Sequence, residues 1–188
     1  GLVGSEMCIR DRMCGVLNTD EHRAKAHAVD LGIGMQLTNI ARDVVVDAKM
    51  GRRYLPGEWV NNMSPEEILV AAENPTSDNG LIITAAVKRL LALAEEYYAS
   101  GRVGLSYLPA RAHFSIGVAA KVYRQIGVQL LRSKTSWHGP KQVTSKASKV
   151  LCTLKATLNL YRRFPHPRKP HNSNLHSWLK PNMRKGVS

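Results

Sequence analysis

Between Gln36 and Asp47, four polar residues recur at intervals of three or four: Gln36, Asn39, Asp43 and Asp47. On an α-helix that spacing stacks them on one face. Leu37, Ile40, Ala41, Val44, Val45 and Val46 fill the positions between. The expected helix is therefore apolar over most of its girth, with one narrow polar stripe. Carboxylates on a buried helix are costly unless something pairs with them. Two carboxylates and an amide oxygen in a row suit a hard cation, and Mg²⁺ accepts one or two carboxylates together with substrate phosphate oxygens. Arg42 adjoins Asp43, and Lys49, Arg52 and Arg53 follow within two turns. Guanidinium groups read phosphate bidentately, so metal-bridged diphosphate binding is one reading. A solvated helix face or a structural ion-pair network would use the same residues. Composition leaves both open.

The elements that must hold this stripe are helical. Asn18 to Glu21 has a capping pattern, and a helix of about thirty residues is expected from there to about Lys49, stopped by Gly51. Gly32 and Gly34 lie inside it, each at a cost of about 1 kcal/mol relative to Ala. Tight packing is favoured over room left for a bulky substrate chain. Ser64-Pro65-Glu66-Glu67 starts a short helix to about Glu73, and residues 74–80 read as a loop. Residues 81–100 are amphipathic, with Gly101 as the expected stop. A turn at 104–109 leads to a helix opened by Pro109 and running to about Arg132. Residues 133–143 read as a loop and 144–160 as a last helix. From Phe164 the chain is rich in Pro, His and basic residues and reads as a disordered tail. His166, His171 and His176 recur every five residues, a spacing that does not keep ligands together on a helix. No strand pattern survives, so the expected fold is all-α.

The chain has 188 residues, 44% of them hydrophobic, enough for one domain with a core. No run approaches the roughly 18 apolar residues of a membrane span. Residues 1–12 carry neither a secretory pattern nor a clear periodicity, and resemble a translated sequencing-adapter remnant. Cys8, Cys14 and Cys152 show no metal-type pairing, which fits a reducing compartment, and the expected location is cytoplasmic. The net charge is +13, unevenly spread. Residues 1–96 hold 10 Lys+Arg against 14 Asp+Glu, a net of −4; residues 97–188 hold the other 17 basic residues and no acid. Such asymmetry suits anionic partners: a diphosphate, an anionic membrane surface or nucleic acid. Aromatic residues are sparse among the basic positions, which counts against nucleic acid.

Gln36-x-x-Asn39-x-x-Arg42-Asp43-x-x-x-Asp47, followed by Gly51-Arg52-x-Tyr54-Leu55-Pro56, resembles the second aspartate-rich motif of the phytoene/squalene synthase family, most of all its bacterial phytoene synthase branch. Tyr98-x-x-Gly101-x-x-Gly104-Leu105 and Val122-Tyr123-Arg124-x-Ile126-Gly127 are similar to later parts of the same pattern. The resemblance runs from about Met13 to about Leu160. It implies an isoprenoid-synthase-type helical bundle, present here in part, with residues 13–163 as its C-terminal portion and 164–188 as a basic tail.

The resemblance further implies head-to-head joining of two geranylgeranyl diphosphates to phytoene through a cyclopropyl diphosphate. Asn39, Asp43 and Asp47 would be the Mg²⁺ ligands, with Mn²⁺ as a substitute. Asp43, Asp47 and Tyr123 would be catalytic; Gln36, Arg42, Arg53 and Lys141 would bind substrate. No NADPH is expected, and peripheral membrane contact is. Two departures stand out. The family's first aspartate-rich motif is not found in residues 1–35, so the chain is expected to be a fragment. Lys141 stands where the family often has Arg. The alternatives are a squalene or dehydrosqualene synthase acting on farnesyl diphosphate, and a non-enzymatic basic module that binds membrane or nucleic acid.

Overall fold

The computed structural model describes residues 21–133, 136–139, 171–172 and 174–175. Among these residues the protein is all-α. We number the helices α1 (Glu21–Arg42), α2 (Val44–Lys49), α3 (Pro65–Glu73), α4 (Asp78–Gly104) and α5 (Ala110–Arg132). Single 3₁₀ turns lie at Gly57–Trp59, Leu105–Tyr107 and Ser136–His138. The expected N-terminal start at Asn18 and the last helix over 144–160 lie outside the described residues.

The single long helix expected to run to Lys49 is instead two segments that meet at Asp43 (φ −102°, ψ 14°). The hydrogen bonds from Asp43 N to Asn39 O (2.9 Å) and from Asp47 N to Asp43 O (2.8 Å) carry the ladder across the joint, so the axis bends without breaking. Asp is a poor interior helix residue, and three β-branched valines follow it, so the helix yields here. Helix α2 closes at Gly51 (φ +68°), with Gly51 N bonded to Ala48 O and Arg52 N to Asp47 O, both at 2.9 Å. This 5→2 and 6→1 pair is the Schellman arrangement that glycine permits. It turns the chain back so that Arg52 and Arg53 follow close on Asp47.

Helix α3 opens on a complete capping box: Ser64 Oγ accepts from Glu67 N and Glu67 Oε2 accepts from Ser64 N. Helix α4 begins three residues before the expected start, because Ser77 Oγ caps Gly80 N. It also runs past Gly101 to Gly104. A Cβ on Gly101 would lie 2.8 Å from Leu31 Cβ, and one on Gly104 would collide with His27 Cβ. These glycines let α1 lie against α4 and do not end the helix. Gly34 does the same from α1, where a Cβ would sit 3.3 Å from Ala94 O and Tyr98 Cδ1. Gly32 faces open space, so the expected packing role holds at Gly34 alone.

The core forms around α4. Ile83, Val87, Leu90 and Leu91 meet Ala41, Val44 and Ala48 from α1 and α2, Ile68 from α3, and Ile126 and Leu130 from α5. Trp137, expected in a loop, is buried in this core and donates from Nε1 to Thr84 Oγ1 (2.9 Å). A second cluster, Leu31, Ala94, Tyr98 and Ala120, fills the other end of the α1–α4 seam. No helix among the described residues is long and apolar enough to cross a membrane.

One glycine of α4 and one of α1 make opposite predictions. Gly104→Ala, aimed at His27 across the seam, has the same consequence as overpacking and should destabilise by about 1–3 kcal/mol. Gly32→Ala has open space and should stabilise by about 0.5–1 kcal/mol through helix propensity. Urea unfolding midpoints of the two variants should move in opposite directions.

Candidate functional site

The bend at Asp43 lets α1 and α2 present one face to a cavity of about 250 Å³ lined by Gln36, Asn39, Ile40, Arg42, Asp43, Asp47 and Tyr54. Four polar positions of the stripe, Gln36, Asn39, Asp43 and Asp47, thus face a common space. A smaller crevice next to it, lined in part by Asp47, Arg52, Arg53 and Tyr54, extends towards the connector.

Asn39 Oδ1 is buried and has no hydrogen-bond partner among the described residues. A buried amide oxygen left this way costs about 1–3 kcal/mol unless something binds it. Asn39 lines the same cavity as the two carboxylates of Asp43 and Asp47. An all-oxygen donor set of one amide and two carboxylates matches a hard cation such as Mg²⁺. The residues present therefore fit the expected metal.

Asp43 is held by its neighbour. Arg42 Nε donates to Asp43 Oδ1 (2.9 Å) and Nη2 donates to Oδ2, a two-pronged fork with both side chains mostly sheltered. The fork raises the Arg42 pKa above its ordinary value, chiefly through the hydrogen bond to Asp43, against the opposing effect of burial. The charges of Asp43, Tyr123 and Asp47 add to the rise. Arg42 is therefore a fixed cation in the cavity wall, and it holds Asp43 in one orientation.

The remaining expected site residues are placed differently. Tyr123, on α5, packs with the second core cluster and does not line the cavity, though it is close enough to act on Arg42 and Tyr98. Arg53 donates from Nη1 to Met63 O (2.7 Å), which pins the connector, and it lines the smaller crevice. Lys141 lies outside the described residues.

Thr38 and Tyr98 form a polar pair that the stripe pattern did not reveal. Thr38 Oγ1 donates to Gly34 O (3.0 Å), which spends its one proton, so Tyr98 Oη donates to Thr38 Oγ1 (3.0 Å). Both side chains are almost completely buried, and Thr38 immediately precedes Asn39 on α1. Burial is the main reason the Tyr98 phenol is pushed up to about 12. The only local signal for this pair was Thr38 lying four residues after Gly34 on a helix.

The residues 7–149 match the family model described as squalene/phytoene synthase. The chain belongs to the squalene/phytoene synthase family. It is similar to the 15-cis-phytoene synthase of Paracoccus sp. (strain N81106 / MBIC 01143), 39% identical over 138 residues, which are 73% of this chain and 43% of that protein. It is 34% identical over 171 residues to the phytoene synthase of Pseudescherichia vulneris, covering 90% of this chain and 53% of the relative. The 15-cis-phytoene synthase of Pantoea ananas is 33% identical over 171 residues, 90% of this chain and 53% of its own length. The chain thus spans about half the length of these curated relatives. No solved structure matches it.

The Tyr98 environment yields a pH prediction. A phenol whose pKa rises on folding favours the protonated native state. Its contribution is complete below pH 10, the unfolded value, and is lost as the pH rises towards about 12. Absorbance near 295 nm should therefore show one of the six tyrosines ionising late in the folded chain. Tyr98→Phe should remove that late step and reduce the loss of stability between pH 10 and 12.

Proposed function

We propose that the polar face of α1 and α2 is the metal and diphosphate side of a prenyltransferase that joins two allylic diphosphates head to head. The observation that carries this reading is the donor-less oxygen of Asn39 in the same cavity wall as Asp43 and Asp47. In this reading Asn39, Asp43 and Asp47 hold Mg²⁺, or Mn²⁺ in its place. A bound dication would neutralise charge on a diphosphate leaving group.

The chain's own residues set up the rest. Arg42 stays protonated at the cavity mouth and presents the remaining edge of its guanidinium to phosphate oxygens. Its fork keeps Asp43 oriented. Gln36 and Tyr54 line the wall beside the metal ligands. Ile40 contributes an apolar surface, and an allylic cation needs such a surface to escape capture by water. Arg53 steadies the connector and so holds Arg52 near Asp47. Tyr123 lies one layer back, where it can act on Arg42 and the Tyr98–Thr38 pair. Lys141 remains a candidate for the diphosphate.

At about 250 Å³ the cavity is below the usual 300–1,000 Å³ of small-molecule pockets and suits a diphosphate end without its lipid tails. A second aspartate-rich helix would close it from the opposite side. Val46, Met50 and Tyr54, exposed beside this face, are apolar surface that such a helix or a membrane could cover. We take the substrates to be two geranylgeranyl diphosphates and the product phytoene, formed through a cyclopropyl diphosphate, as part of carotenoid synthesis. The similarity to phytoene synthases favours this over farnesyl diphosphate and squalene. The function would be cytoplasmic with peripheral membrane contact.

The test is turnover by the protein at the full length of its relatives. With geranylgeranyl diphosphate and Mg²⁺, Asp43→Ala and Asp47→Ala should each lower phytoene yield by at least 100-fold, with the helix content unchanged by circular dichroism. Yield within a few-fold of the parent in either variant refutes the ligand roles. Squalene-type product from farnesyl diphosphate, with none from the longer substrate, would transfer the assignment to the other branch.

A further inference from the structure

A second group of metal-type side chains lies on α1 but away from the cavity. His27 and Asp30 precede Asp43 by more than three helical turns, about 20 Å along the axis. Asp30 is fully buried and His27 nearly so. His171, which is 141 residues further along the chain, brings its Nε2 to 2.8 Å from Asp30 Oδ2. Ser100 Oγ, from α4, donates to the same Asp30 oxygen and lies 3.0 Å from His27 Nδ1. The rings of His27 and His171 meet edge to face with centroids 5.0 Å apart. One potential ligand atom from each of His27, Asp30 and His171 lies within 4.8 Å of the other two.

We propose that His27, Asp30 and His171 bind one divalent transition-metal ion of the Zn²⁺ type, and that this ion fastens the segment around residue 171 to the α1–α4 seam. Two imidazoles and one carboxylate form a donor set that favours such ions, whereas Mg²⁺ prefers oxygen alone. The cluster and the Asn39–Asp43–Asp47 face therefore select different metals. Zn²⁺ bonds of about 2.0–2.2 Å in a tetrahedron place ligands about 3.4 Å apart, so the 2.8 Å His171–Asp30 contact opens slightly and the wider separations, all within 4.8 Å, close to admit the ion. Three protein ligands leave a fourth position for water.

The buried carboxylate supplies the electrostatic reason. Asp30 is a fully buried carboxylate side chain, and a dication bonded to it directly is a favourable partner for such a group. Ser100 serves as the outer hydroxyl that orients both Asp30 and His27, the role such partners play at metal sites. A second tether already accompanies the site: Tyr97 Oη donates to Leu175 O at 3.0 Å.

Zinc titration of the 188-residue chain against a chromophoric chelator tests the proposal. One equivalent of Zn²⁺ should bind, raising the melting temperature by several degrees, and millimolar Mg²⁺ should not displace it. His171→Gln, with helix content unchanged by circular dichroism, should weaken Zn²⁺ at least tenfold; Ser100→Ala should weaken it about tenfold. His138→Gln, from a different part of the fold, should leave it unchanged. Co²⁺ bound to the parent chain should give a tetrahedral visible spectrum that His171→Gln loses. Equal Zn²⁺ affinity in the parent and His171→Gln, or no stoichiometric binding to the parent, overturns the proposal and leaves a hydrogen-bonded cluster only.

Discussion

The close approach of α1 to α4 is the constraint on which the rest of the structure depends. Gly34, Gly101 and Gly104 each stand where a methyl group would strike the other helix. Their absence of side chains sets the distance between the two axes and hence the rotation of α1. That rotation buries Leu31, Ala41 and Thr38 and leaves Gln36, Asn39 and Arg42 along the cavity. The seam is dense at one end with Tyr98, Thr38 and Gly34, and at the other with His27, Asp30 and Ser100. A polar face on an otherwise apolar helix is tolerable only because its orientation is fixed this way.

Energetically, the polar face is poised for a partner. An amide whose oxygen lacks a donor, a carboxylate gripped by its own neighbour, and a second carboxylate one turn beyond the bend are arranged around one space. The Arg42–Asp43 fork contributes less to stability than its geometry suggests, since desolvation of both groups offsets their attraction. Its effect on orientation is larger. It keeps one charge of each sign at a fixed place on the rim, where a diphosphate and its counter-ion would meet both.

What was legible in the sequence was local. The Ser64–Glu67 capping box and the stop at Gly51 depend on neighbours within four residues, so their residue types disclose them. The stripe at Gln36, Asn39, Asp43 and Asp47 could also be read, because helical periodicity alone puts them on one face. The bend at Asp43 was not, since the Arg42 fork and three valines act there together. The same holds for Gly101, which has the composition of a helix stop but serves a contact with Leu31 on a distant helix. Trp137 in a loop-like stretch and His171 in a basic tail find their partners 53 and 141 residues away. Spacing carries no information about contacts of that kind. Tyr123 rests on resemblance, which identifies a residue without saying which wall it lines.

The account turns on whether Asn39, Asp43 and Asp47 act together on a metal and a phosphate anion, and calorimetric titration with pyrophosphate measures that directly. With Mg²⁺ present the protein should bind pyrophosphate, and with a chelator it should bind at least tenfold more weakly. Asn39→Ala should reduce the Mg²⁺-dependent part while leaving the melting temperature unchanged or higher, since it removes an unsatisfied buried oxygen. Binding that ignores both Mg²⁺ and the Asn39 substitution would contradict the account.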